Sequence, residues 1–152
     1  MNYLLDTNIL LIYIRDEPTR GYIEQTYDPF GTDNNPIISV VTVGEIRSIA
    51  KRNHWGDKKL ELLDDILSDL IIADIHSEDV IETYAEIDAF SQGRLTERPL
   101  SVTARNMGKN DLWIAATAEV TNSRLMTTDN DFDHLDNEYL ELIKIKRLKK
   151  KK

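Results

Sequence analysis

Five acids in this 152-residue chain, Asp6, Glu45, Asp111, Asp129 and Asp131, stand where apolar segments end or begin. Gathered at one place, such carboxylates repel one another, so an empty cluster either raises its pKa values or stays spread open. A divalent cation relieves that conflict. Cysteine is absent, and His54, His76 and His134 are scattered without the i, i+4 spacing of a helical zinc site. The available donors are therefore hard oxygens, which favour magnesium or manganese over zinc.

Taken singly, each acid also has an ordinary role. Asp6 could cap the helix that follows it, and Asp111 could complement a helix N-terminus. Glu45 could face solvent on an amphipathic helix, while Asp129 and Asp131 could make Asx-turns after a strand. The joint pattern argues for more, because four independent caps have no reason to recur at one end of a sheet. Other chemistries fit poorly. Residues 129–140 fail as a calcium loop, since His134 stands where glycine is required and Leu140 where a bidentate glutamate is required. No GxxxxGK phosphate loop exists. An aspartyl-phosphate phosphatase would resemble DxDxT, but the chain reads Asp6-Thr7-Asn8 and lacks the second aspartate.

The elements that must position these acids alternate. An apolar run over 2–5 predicts a buried strand leading directly into a helix with Ile9, Leu10, Ile12, Tyr13 and Ile14. Pro29, Gly31, Asp33, Asn34, Asn35 and Pro36 mark 28–36 as a loop. A strand over 37–40 and a helix over 42–52 follow. Helical spacing of Leu60, Leu63, Ile66, Leu67 and Leu70 precedes a third strand at 71–75, and Ser77 caps a further helix. The least regular stretch, 92–110, reads as a loop or a short extra helix. A strongly apolar helix over 111–120, a strand at 124–127 and an edge strand within 139–145 complete the pattern. Strands alternating with helices predict an α/β fold, a three-layer sandwich with a central, mainly parallel sheet flanked by helices. In such sheets ligands bind beyond the carboxyl ends of the strands.

The stretches LLDTNIL (4–10), VTVGEI (41–46), NDLWIAATA (110–118) and MTTDNDF (126–132) resemble those of PIN-domain ribonucleases, especially the VapC-like toxins of type II toxin-antitoxin systems. The resemblance implies a Mg2+- or Mn2+-dependent endoribonuclease that leaves 5′-phosphate and 3′-hydroxyl ends. It implies metal-site roles for Asp6, Glu45, Asp111 and Asp129, with Asn8 and Thr127 as polar supports; Asp131 matches an acidic position before phenylalanine. A divalent cation in such a site activates water and stabilises the leaving oxygen, and two ions about 3.5–4 Å apart could divide those tasks. Arg47, Lys51, Arg52, Arg105 and Lys109 are candidate RNA phosphate contacts, with solvated helix or loop faces as their ordinary reading. An RNA substrate, a cognate antitoxin and a homodimer are the implied partners. The alternative is a noncatalytic PIN-like module that binds RNA or protein.

Charge is unevenly placed. The formal total is −8, yet KIKRLKKKK at 144–152 holds seven basic residues and no acid. Residues 1–143 therefore carry twelve basic residues against 27 acids, a poor surface for nucleic acid unless metal ions or local basic patches intervene. The expected organisation is one nuclease domain over 1–145 followed by a basic tail over 146–152. No apolar run approaches the roughly 20 residues needed to span a bilayer, and lack of cysteine fits a cytoplasmic compartment.

Overall fold

In a pleated sheet, successive side chains point to opposite faces, so one buried sheet can carry two cores. The computed structural model describes residues 1–148. Of the tail expected over 146–152, residues 149–152 lie outside the described residues. Five parallel strands, β1 (Asn2–Leu5), β2 (Asn35–Ser39), β3 (Ile71–Ala73), β4 (Arg124–Thr127) and β5 (Glu141–Lys144), stand in the order β3-β2-β1-β4-β5. Tyr3, Leu5, Ile38, Met126 and Ile143 pack on one side with α1 (Thr7–Arg15), α2 (Glu17–Thr26), α3 (Val40–Arg52) and α4 (Asp57–Ser68). Leu4, Ile37 and Leu125 pack on the other with α5 (Glu78–Ser91) and α6 (Lys109–Val120). This is the expected three-layer sandwich, with a wholly parallel sheet between its helices.

Several boundaries move for local reasons. Ser39 caps α3 by accepting from the Val41 amide, so that helix begins two residues before its expected start. Strand β3 stops at Ala73 because Asp74 turns back to accept from the Ile75 amide. Helix α2 was not foreseen. Pro18 and Gly21 hide it in the sequence, but Pro18 lies in its first turn, where a missing N–H costs nothing. Asp16 divides α1 from α2 and accepts from both the amide and the hydroxyl of Thr19. Residues 92–108 contain no helix; they fold back onto the 130–139 segment, where Arg98 donates to the Glu138 carbonyl and covers the Tyr139 ring. Among the described residues, no helix is long and apolar enough to cross a membrane.

Phe132 ties the acid-bearing loop after β4 to the second core, and its side chain is fully buried. Phe132→Ala is expected to cost about 3–5 kcal/mol, since truncation removes buried surface and leaves a cavity. Urea denaturation checks this; a loss below about 1 kcal/mol would mean the loop does not depend on that anchor.

Candidate active site

The strand order reverses direction at β1: β2 and β3 lie to one side, β4 and β5 to the other. The crevice at the carboxyl ends of β1 and β4 is thus the topological switch point, where parallel sheets bind ligands. Asp6 follows β1 directly, its amide donating to the Met126 carbonyl at 3.0 Å. One carboxylate oxygen accepts from the Thr7 amide at 2.8 Å and the other from the Thr127 hydroxyl at 2.7 Å. The Thr127 hydroxyl in turn accepts from the Asp129 amide at 3.0 Å, and Asn8 Nδ2 donates to Asp129 Oδ2 at 3.1 Å. A run of hydrogen bonds from Asp6 through Thr127 and Asp129 to Asn8 therefore joins the ends of β1 and β4. Asp6 does cap α1, as its ordinary reading required, but only one of its oxygens is used that way.

Glu45 and Asp111 enter from α3 and α6. On α3, Glu45, Ser48, Ile49 and Arg52 share one face at helical spacing and, with Asn110, line a cleft of about 480 Å³. Asp111 sits in the first turn of α6, where the helix dipole favours a negative charge. Burial and neighbouring acids outweigh that help. The Asp111 carboxyl is pushed up to about 7, first by burial and then by Asp6, Asp131, Asp129 and Glu45. Burial also raises Asp6, against the hydrogen bonds from Thr127 and Thr7, with Asp129 and Asp131 adding to the rise. Glu45 is raised by burial and by Asp6, tempered by the Thr7 hydroxyl, and Asp129 by burial and Asp131, tempered by Lys144. All five acids thus act within one electrostatic field.

They share that field without closing on one point. Among the described residues, no three acidic or histidine side chains come together as a ready-made metal cage. Glu45 Oε1 and the Thr7 hydroxyl are nevertheless both buried without a well-formed hydrogen bond among the described residues, although the hydroxyl lies near enough to the Glu45 carboxyl to favour its charged form. Such atoms are costly unless something satisfies them. Thr7 went unremarked as a site residue in the sequence, although the Asp-Thr-Asn triplet contains it.

The expected cations divide by location. Arg52 lies in the Glu45 cleft, and Lys109 directly precedes Asn110 there. Arg105 approaches the carbonyls of Asn130 and Asp131 at 3.5 Å. Arg47 and Lys51 occupy a different face of α3, in a groove with Trp55, Leu60 and Leu63 of the α3–α4 pair. Lys144, missed in the sequence, reaches Asn130 Oδ1 at 2.6 Å and also contacts Asp133. A larger cleft of about 580 Å³, lined by Arg124, Glu141 and Asn2 among others, contains none of the five acids. His134 is packed away from them: it is bonded to Ser91 at 2.7 Å, and burial together with Arg105 lowers its pKa to about 4.

The family model of the PIN domain matches residues 3–138. The chain belongs to the PIN-domain family. No curated protein is a significant match to the sequence. The PIN fold is also found in solved structures. VapBC2 from Rickettsia felis, bound to a DNA fragment from its promoter, matches with 26% identity, 96% of this chain, 100% of that chain and a TM-score of 0.74. VapBC-1 from nontypeable Haemophilus influenzae matches with 21% identity, 95% and 98% coverage, and a TM-score of 0.68. VapBC-5 from Mycobacterium tuberculosis, a member of the VapBC family of toxin-antitoxin systems, gives 23%, 95% and 98%, and 0.60. The latter two likenesses bear on the PIN fold alone.

Proposed function

We propose that this PIN domain is a divalent-metal-dependent endoribonuclease, the toxin of a VapBC-type pair. The observation that carries the reading is the meeting of acids from four separate elements in one field at the switch point, with Glu45 Oε1 buried and without a well-formed hydrogen bond among the described residues. The donor set fits a hard cation: the charged donors among the described residues of this field are carboxylates, with no sulfur and no histidine beside them. Asp6, Glu45, Asp111 and Asp129 would hold Mg2+ or Mn2+ there. When bound, such an ion supplies a more acidic water and offsets charge on a phosphodiester undergoing hydrolysis.

The chain's own residues do the rest. Thr127 fixes Asp6 and, through the Asp129 amide, sets the position of the second strand end. Asn8 holds one oxygen of Asp129 and leaves the other available. Asp131 is exposed at the rim and adds negative potential without a hydrogen bond of its own side chain among the described residues. Arg52, Lys109 and Arg105 flank the acids as phosphate contacts that position a strand without reading its bases. Arg47 and Lys51 lie on the α3–α4 groove and act further from the scissile bond. The nuclease domain spans 1–145; the similarity to VapBC structures supports a cognate antitoxin as partner, and a second copy of this chain is the other proposed partner.

The test is cleavage of a cellular RNA pool with Mn2+, Mg2+ or EDTA. Metal-dependent cutting supports the reading; intact RNA under every condition, with no metal bound, would favour a noncatalytic PIN module. Asp129→Asn is expected to lose far more activity than Asp131→Asn, because only Asp129 is tied into the Asp6–Thr127–Asn8 hydrogen bonds. Initial rates on one RNA substrate compare the two. An inactive Asp131→Asn beside an active Asp129→Asn would reassign the fourth ligand.

A further inference from the structure

The loop that carries Asp129 and Asp131 is anchored by Phe132 on one side and meets a cation on the other. In a strand, alternate side chains share a face. On β5, Ile143 packs into the first core and Leu142 against the second. Lys144 therefore stands on the second-core face, the side to which Phe132 draws the loop. Its register partner is Thr127, whose hydroxyl bonds Asp6 and receives the Asp129 amide. The next amide, that of Ile145, donates to the Thr127 carbonyl at 2.8 Å, so the base of Lys144 is fixed to the same strand end.

From there the ammonium reaches across the loop. Lys144 Nζ donates to Asn130 Oδ1 at 2.6 Å and also to Asp133 Oδ1. These acceptors bracket Asp131 and Phe132, and Asn130 follows Asp129 directly. The charge reaches Asp129 as well. Of the four acids pushed up at this site, Asp129 is the one whose rise a cation opposes among the described residues, and that cation is Lys144. The Lys144 and Asp133 side chains are 34% and 48% exposed, and solvated pairs contribute little to stability. Two ties to one short loop thus bear more on where the loop stands than on whether the chain folds.

We propose that Lys144 is a positioning residue: by holding Asn130 and Asp133 it keeps Asp129 at the acid site for a divalent cation, without itself touching that cation or the RNA. The metal half of this role rests on the nuclease reading; the hold on the loop does not. A sign separates positioning from charge alone. Removing a nearby positive charge makes the acid site more anionic, which by itself tightens Mn2+ binding. Releasing the loop misplaces a ligand and weakens it.

The experiment compares the full chain with Lys144→Met, Lys144→Arg, Asp133→Asn and Lys144→Met/Asp133→Asn. Thermal melts verify folding. Amide hydrogen exchange in EDTA reads the loop, calorimetry reads Mn2+ binding, and initial rates against RNA concentration separate kcat from KM. Lys144→Met is expected to speed exchange of the amides from Asp129 to Asp133 and to weaken Mn2+ about tenfold. At a fixed Mn2+ concentration near the full chain's Kd, kcat should fall severalfold with KM for RNA within about twofold. Lys144→Arg keeps the charge and offers forked donors, so it should restore most of each. Asp133→Asn should show smaller losses of the same sign. The double variant should be no worse than Lys144→Met, because both changes cut one tie. Unchanged loop exchange in Lys144→Met, or tighter Mn2+ binding there, would overturn the positioning role. A raised KM with kcat kept would overturn it too, making Lys144 a phosphate contact. If Lys144→Met melts early, Asp133→Asn carries the same readouts, and no change in it counts against the role. A full chain that binds no Mn2+ and cuts no RNA sinks the nuclease reading and the metal half with it. Faster exchange in Lys144→Met, reversed in Lys144→Arg, would still sustain the hold on the loop.

Discussion

Asp6→Asn and Asp111→Asn are each expected to reduce RNA cleavage by on the order of 10³-fold, the upper part of the range for removing one preorganised electrostatic interaction. Both replacements keep the side-chain shape and remove one negative charge. For Asp6 the structural loss is small. The asparagine carbonyl oxygen can still accept from the Thr7 amide and cap α1, which is why aspartate and asparagine are nearly equal there. The Thr127 hydroxyl loses its carboxylate acceptor, at a cost of about 1 kcal/mol, but a buried carboxylate whose pKa is raised is removed at the same time. Asp111→Asn leaves the first turn of α6 intact, because Gly108 caps that helix without a side chain. Near-native thermal melts, abolished cleavage and weakened Mn2+ binding by calorimetry make up the expected set. Cleavage within about tenfold of the unmodified rate in either folded variant would remove that acid from the metal site.

The sandwich could be read from the sequence because its signals are local. Apolar runs at 2–5 and 124–127 and helical spacing from Leu60 to Leu70 each fit one element. Parallel pairing then required crossover helices on both faces. The same logic put Asp6 and Asp129 at one edge, and the register of Leu5 with Met126 does place their strand ends side by side. Glu45 was harder, since its position follows from how α3 crosses the sheet; the burial of its Oε1 without a well-formed hydrogen bond among the described residues is a tertiary fact without a sequence mark. Helix α2 was missed because Pro18 and Gly21 punctuate it and only Thr19 and Ile23 are buried, too few to give a periodic signal. Separating Arg52 from Arg47 and Lys51 required the α3–α4 packing: three cations on one helix look equivalent until a neighbour claims one face. Lys144 escaped notice within a run of like charges, although its strand register with Thr127 distinguishes it from every lysine after it.

Stability without metal should fall as the pH rises through neutrality, and Asp111 is the main reason. Its carboxyl is raised to about 7 in the folded chain, by burial first and then by Asp6, Asp131, Asp129 and Glu45, against 3.8 in its ordinary state. A folded-state pKa above the unfolded value means the native form binds the proton more tightly. That contribution is complete below the ordinary value and is lost as the pH climbs through about 7. Unscreened, the shift would correspond to about 4 kcal/mol, but the half-buried group is partly solvated, and about 1–2 kcal/mol is the reasonable share. For a chain of this size that lowers Tm by about 2–8 °C between roughly pH 5 and pH 8 in EDTA. Asp6, Glu45 and Asp129 are raised as well and slope the same way, so Asp111→Asn should flatten the dependence without abolishing it. Added Mn2+ reverses the trend, since the ion competes with the proton for Asp111 and stabilises only the folded site. Differential scanning fluorimetry of both proteins, with EDTA and with Mn2+, measures all of this. An EDTA profile that rises over the same window, or one identical in Asp111→Asn, would mean that Asp111 is ionised at little cost and that the five acids do not strain one another.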